Sequence, residues 1–327
     1  MTNQAAAPLT RQSKNPLSLF NKPWIWAYVA AAAAFLGTMA ISGGQGAGSL
    51  FYTAMTFASF AAIVGVGQML VITLGPGNVD LSIPSSMTLA ATLALKVMNS
   101  EPNMVLIGLT TALLVGLGCG IFNFSLIILL RIPPIIATLS SSFIFQSLAI
   151  WSNRGLRIKP PESMSQFVTG GVLGIPNVAL VGIAIAIAVW VVLERGIAGR
   201  WIMAIGQNMR AASFSGIPVN TVRFAVYVSC AVLASIAGFL LANFSGGAAL
   251  NMGSEYMLMS IAVVVIGGSS IAGGNSNVPG IWGASLFMFL VVSMLNSYGL
   301  GAGVRLIMTG IIIVAVVSLA SKRGEVR

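Results

Sequence analysis

Histidine is absent from this sequence, and only six of its 327 residues are acidic. Without imidazole the chain lacks the commonest metal ligand and the usual proton shuttle at neutral pH. Cysteine is nearly as scarce. Cys119 and Cys230 stand far apart, each inside an apolar block, so no CxxC pair or disulfide framework exists. Both read as small buried core residues. Charge is thin as well: 7% of the residues are charged, against about 25% in a typical soluble domain. No ordinary water-facing surface can be built from such a chain. The GxxxxGK[ST] phosphate loop is missing, so the chain does not hydrolyse ATP by that machinery. No nucleophile–base pair or metal cluster is visible, which places a membrane enzyme far behind other readings.

What is present is apolar, and it comes in blocks. Hydrophobic residues make up 57% of the chain. They gather in Trp24–Ile41, Phe51–Leu74, Leu81–Met98, Met104–Leu130, Pro134–Trp151, Val178–Leu193, Val222–Ala242, Met257–Gly267, Ile281–Ser297 and Val304–Leu319. About 20 apolar residues at roughly 1.5 Å each span a hydrocarbon core, and most blocks approach that length. The expectation is an all-α polytopic membrane protein of about ten transmembrane helices. Met257–Gly267 is short and ends in glycine, so it reads as extending back towards Gly253 or as a broken helix. The net charge of +10 fits basic residues in cytoplasmic loops better than nucleic-acid binding. Alternating the blocks across a bilayer from an inside N-terminus puts eleven basic residues inside and five outside. Both termini are therefore expected in the cytoplasm. A cleaved signal peptide is the alternative for Trp24–Ile41, but the block exceeds the roughly 7–15 apolar residues of such a peptide, so it reads as a retained helix. Residues 1–22 read as a cytoplasmic tail and 23–327 as one transmembrane domain, with an outside loop at 152–177 and an inside loop at 194–222.

Three segments could carry function. In Gly75-Pro76-Gly77-Asn78-Val79-Asp80-Leu81-Ser82, Gly-Pro-Gly stops a helix, Asn78 reads as the N-cap of the next, and Asp80 falls in its first turn. One reading makes this a broken helix lining a substrate path, where Asn78, Asp80 and Ser82 offer polar groups to a polyol. The other makes it a tight turn at the bilayer surface. The inside loop spells out a short helix: Asn208 as N-cap, Gly216 at the left-handed C-terminal position, Pro218 beyond. So short a helix must dock, onto a partner subunit or onto lipid headgroups. Within the helices, Asn123 and the group Thr138, Ser140, Ser141 and Ser142 would face a pathway if functional, though such residues often bond a neighbouring helix instead. A weak internal echo links Leu74-Gly75-Pro76-Gly77-Asn78 with Ile266-Gly267-Gly268-Ser269-Ser270 and Gly273-Gly274-Asn275, and suggests two inverted-repeat-like halves.

The chain resembles the permease subunits of ribose-type ABC importers, which serve ribose, galactose, xylose, arabinose and related sugars. The resemblance runs from about Phe51 to Ser318. It is carried by Val79-Asp80-Leu81-Ser82; Ile132-Pro133-Pro134-Ile135-Ile136-Ala137-Thr138-Leu139; Ala204-Ile205-Gly206 with Asn208, Ala211-Ala212 and Ser215-Gly216-Ile217; and Ile261-Ala262 through Val265-Ile266-Gly267-Gly268-Ser269-Ser270 with Gly273-Gly274. It implies a permease of the bacterial inner membrane that works as a pair. A cytosolic ATPase would carry the ATP and Mg, no cofactor would sit in this chain, and a periplasmic binding protein would deliver the cargo. Residues Gly206, Gln207, Asn208, Met209, Arg210, Ala211, Ala212, Ser215, Gly216 and Ile217 would form the coupling helix that seats in the ATPase.

Departures from the family pattern are concentrated at charged positions. Gly75-Pro76-Gly77-Asn78 replaces a Gly-Gly-Ile before Asp80. Gln146, counted with the substrate path, stands where an arginine is common, with Ser147 in place of glycine. Met209 and Arg210 replace two acidic residues, and Met257 and Met259 replace a Glu and an Asp. Pairing with a second, different permease is favoured over a less polar cargo, because cargo would not require an altered ATPase contact. Related permeases carry nucleosides or branched-chain amino acids, and these stay open as cargoes. An ion-coupled transporter is the rival mechanism, with thin machinery for it: no histidine and one relevant carboxylate.

Overall fold

A computed structural model of the protein describes residues 24–153, 158–299, 301, 303–304, 307–312 and 314–315. The expected cytoplasmic tail, positions 154–157 of the outside loop and part of the tenth apolar block lie outside the described residues. Every apolar block from Trp24 to Ser297 forms a helix. The elements are α1 (Ile25–Ile41), α2 (Ala47–Thr73), α3 (Ile83–Met98), α4 (Val105–Leu129), α5 (Pro134–Asn153), α6 (Glu162–Thr169), the strands β1 (Gly171–Val172) and β2 (Ile175–Pro176), α7 (Asn177–Arg195), α8 (Ile197–Gln207), α9 (Met209–Phe214), α10 (Val219–Phe244), α11 (Tyr256–Ile266) and α12 (Val278–Ser297).

Among the described residues, six helices are long and apolar enough to cross a membrane: α2, α4 with the turn before it, α5, α7, α10 and α12. The shorter apolar helices are α1, α3 and α11. At about 1.5 Å per residue, the 11 residues of α11 reach about half of a hydrocarbon core, so α11 is a partial span, as its glycine-ended block suggested.

The bundle is built around α2. Its most apolar stretch is 89% buried, against 28–39% for α4, α5 and α7, which show large apolar side chains such as Leu114, Leu129 and Phe143 to the outside. Helices α7, α10, α11 and α12 pack on α2. Lipid supplies no hydrophobic drive between helices, so close approach depends on small residues at the contacts. Gly116 and Gly120 on α4 provide it: a Cβ there would stand 2.8 Å from Val232 Cα and 2.5 Å from Val228 Cα of α10. Cys119 on α4 and Cys230 on α10 are buried free thiols, as their apolar surroundings indicated.

The loop at 152–177 holds α6 followed by an antiparallel pair, Val172 opposite Ile175. The two-residue turn between them, Leu173 and Gly174, has positive φ at both positions, the geometry that suits a tight hairpin. The Tyr52 hydroxyl donates to the Thr169 carbonyl at 2.9 Å and ties this loop to α2.

The breaks between α2 and α3 and between α11 and α12 lie at the same end of the bundle, in contact through Gly75 and Gly273. Helices α2 and α11 run towards that end, and α3 and α12 leave it. An inverted relation between halves is therefore not carried by these two breaks.

Candidate functional site

The first break sets the site. Gly75 and Gly77 have φ of 115° and 78°, which end α2 after Thr73 and turn the chain. Pro76 and Gly77 are exposed, whereas Asn78, Asp80 and Ser82 are 6%, 1% and 0% exposed. Residues 78–82 thus enter the bundle as non-helical backbone, and α3 begins only at Ile83 with Ser82 at its N-cap position. This corrects the expectation for Asn78 and Asp80: neither caps nor opens α3. The physical reason is that the unwound stretch is held by side chains from four other helices.

From α2, Gln68 Oε1 accepts from Asp80 N–H at 3.3 Å. From α10, the Tyr227 hydroxyl donates to Asn78 Oδ1 at 3.0 Å, while Asn78 Nδ2 donates to the Gly75 carbonyl at 3.1 Å. From α4, Asn123 Nδ2 donates to Ser82 Oγ at 2.7 Å. From α5, the Thr138 hydroxyl accepts from Leu81 N–H at 3.0 Å and lies 3.2 Å from the Val79 carbonyl. Within the stretch, Asp80 Oδ1 accepts from both Ser82 N–H (2.8 Å) and Ser82 Oγ (2.6 Å). Buried irregular backbone needs such partners, because its N–H and C=O groups have no helix or sheet ladder of their own. Among the buried polar atoms of the cluster, Gln68 Nε2 and Asn123 Oδ1 make no hydrogen bond.

The loop at 194–222 carries the second feature. Asn208 Oδ1 accepts from Ala211 N–H at 3.0 Å and caps α9. Gly216, with φ of 80°, closes the other end, where Ile217 N–H bonds the Ala212 carbonyl at 3.1 Å. Ala212 is the one buried residue of α9, and Phe214 is 92% exposed.

The sequence that builds this site has relatives among known proteins. The family described as branched-chain amino acid transport system / permease component matches residues 50–317. The chain belongs to this permease family. It is 31% identical to a probable ABC transporter permease protein of Sinorhizobium fredii, over 84% of this chain and 85% of that one. It is 30% identical to an autoinducer 2 import system permease protein of Enterobacter sp. (82% and 85%), and 29% identical to the ribose import permease protein of Escherichia coli K12 (81% and 83%). Among solved structures there is no significant match.

The permease, a multi-pass protein of the bacterial inner membrane, gathers most of its expected pathway residues in one place. Asn78, Asp80, Ser82, Asn123 and Thr138 join a single buried cluster. Two others stay outside it. Gln146 donates to the Leu250 carbonyl at 2.7 Å and braces α5 against the segment before α11. Ser140 is exposed on an outer face of α5, in line with Ile136, Phe143 and Ser147. Sequence reasoning missed Gln68 and Tyr227, which hold the break from α2 and α10. Gln68 is a lone polar group in an apolar run, and that isolation is the signal that could have found it. The amphipathic α8, which leads into α9, was also missed.

Proposed function

We propose that this chain is the membrane-spanning subunit of an ABC importer for a sugar or sugar-like polyol, driven by a separate cytosolic ATPase and fed by a periplasmic binding protein. The observation that carries this reading is α9. A six-residue helix is unstable alone in water, yet here it is capped at both ends and presents Met209, Arg210 and Phe214 outward. Such a surface is completed by a groove on a partner. The names of the ribose and autoinducer 2 import permeases support a sugar as cargo.

In this reading the buried cluster around Asp80 stands behind the pathway and fixes its shape. The Ser140 face of α5 is the wall that a solute meets, at the contact between two permeases. Hydroxyls without charge suit a neutral polyol, which passes without being held. Both termini face the cytoplasm, and ATP and Mg stay on the ATPase. A second, different permease is the favoured partner, because Met209 and Arg210 stand where acidic residues are usual.

Mass spectrometry of a tagged copy purified from its native membrane tests the assembly. Recovery of an ATPase with a second related permease is expected; an ATPase alone means a homodimer, and no ATPase at all removes the reading. Phe214→Ala should weaken ATPase recovery by about 2 kcal/mol, the scale of an interface anchor, with thermal unfolding of the permease unchanged.

A further inference from the structure

The two helix breaks touch each other at the residue that leads into the coupling segment. Gly274 N–H donates to the carbonyl of Thr73, the last residue of α2, at 3.0 Å. Gly206, near the end of α8, is wedged between them: a Cβ there would collide with the Thr73 carbonyl oxygen and with Gly274 N. A Cβ on Gly273 would collide with Gly75 Cα and stand 3.1 Å from the Gly206 carbonyl, and one on Gly274 would stand 2.6 Å from Gln207 Cγ. Gly273 and Gly274 also have φ of 86° and 71°, so both space and backbone conformation require glycine there, while at Gly75, with φ of 115°, the conformation alone requires it.

Three backbones therefore meet with almost no side chain between them. Such a contact has no rotamers to absorb a displacement, and close-packed interiors transmit strain. Its position along the chain matters as much. Asn208, which caps α9, follows Gly206 by two residues. Asn78 and its buried cluster begin three residues after Gly75. Asn277, whose Oδ1 accepts from Gly280 N–H at 3.3 Å and caps α12, follows Gly274 by three. A push on α9 thus reaches both unwound stretches at once.

We propose that the contact of Gly75, Gly206, Gly273 and Gly274 is a rigid joint through which the coupling segment moves both helix breaks as one body, with Gly206 as its positioning residue. The proposal rests on the importer reading above.

The test uses the complete transporter in vesicles, with ATPase and binding protein, and reads ATP hydrolysis and solute uptake separately. Gln207→Cys with Asn275→Cys places two exposed thiols beside the joint, and the native thiols are buried and unpaired. A rigid joint never opens, so the disulfide should form in the assembled complex and leave uptake at the level of the reduced sample. A disulfide that stops uptake, or that fails to form, overturns the joint. Gly206→Ala should lower the uptake obtained per ATP hydrolysed at least about tenfold, a loss of coupling between sites read as the ratio of the two rates in the same vesicles. Hydrolysis and uptake falling in proportion would argue for a purely structural glycine. If Gly206→Ala does not assemble, the cysteine pair decides alone. Wild-type vesicles that hydrolyse no ATP and take up nothing would overturn the importer reading itself, and the joint with it.

Discussion

Asp80 Oδ1 is occupied twice, accepting both bonds from Ser82, and the carboxyl's further neighbour is the Cys230 thiol of α10. Asparagine keeps the accepting oxygen, so Asp80→Asn should change stability by no more than about 1 kcal/mol. Alanine strands Ser82 N–H and Oγ in a buried site, and Asp80→Ala should cost about 1–3 kcal/mol. Thermal unfolding in detergent measures both. Uptake by Asp80→Asn is expected to survive, since the side chain holds the break rather than the cargo; a stable Asn variant that no longer transports would reverse that assignment. The importance of Asp80 was legible as the one acidic residue beside an apolar block and away from long loops. Its bonding was not, because its setting is built by residues distant in sequence. Tyr227 lies 149 positions from the Asn78 it binds, and neither residue signals the other.

At the scale of elements, the helices were legible because apolar length is a strong signal, while their places in the bundle were not. Helices α2 and α4 have similar mean hydropathy, 1.9 and 2.3 over their most apolar stretches, yet 89% of that stretch is buried in α2 and 39% in α4. In lipid an apolar face does not distinguish a helix neighbour from a lipid neighbour, so the deciding residues are the small ones. Helix α4 offers a direct comparison. At Gly120 a new Cβ would stand 2.5 Å from the Val228 backbone of α10, which cannot rotate away; at Gly118 it meets nothing within 4 Å. Gly120→Ala should destabilise by about 1–3 kcal/mol, the usual range for overpacking. Gly118→Ala should be neutral or stabilising by up to about 1 kcal/mol, because alanine favours helix over glycine. Equal thermal shifts for the two would mean that α4 and α10 do not pack as described. The short α9 was legible for a different reason: Asn208 and Gly216 bound it by chemistry that needs no tertiary information.

Across the whole molecule, the ends of the bundle divide the chain's polar chemistry. One end holds the two breaks, α8 and α9; at the other, Lys96 Nζ donates to the Ser152 carbonyl at 3.4 Å and Ser100 Oγ to the Lys159 carbonyl at 2.8 Å. That grouping matches the alternation of apolar blocks read from the sequence, which could order the ends but not show that the breaks meet. What lies between the ends bears on the energy source. Ion-coupled carriers move charge through intramembrane carboxylates or histidines. Here there is no histidine, and among the described residues Asp80 is the one buried carboxylate, tied down by Ser82 and far too few for a relay. A carboxylate or histidine relay of that kind is not present among the described residues, while α9 offers a surface to the proposed ATPase. Uptake in cells should persist when a protonophore collapses the gradient and ATP is maintained by substrate-level supply, and should stop when ATP is depleted with the gradient intact. The opposite pattern would move the driving force from the partner at α9 to the bundle itself, and Asp80 would then have to carry the ion.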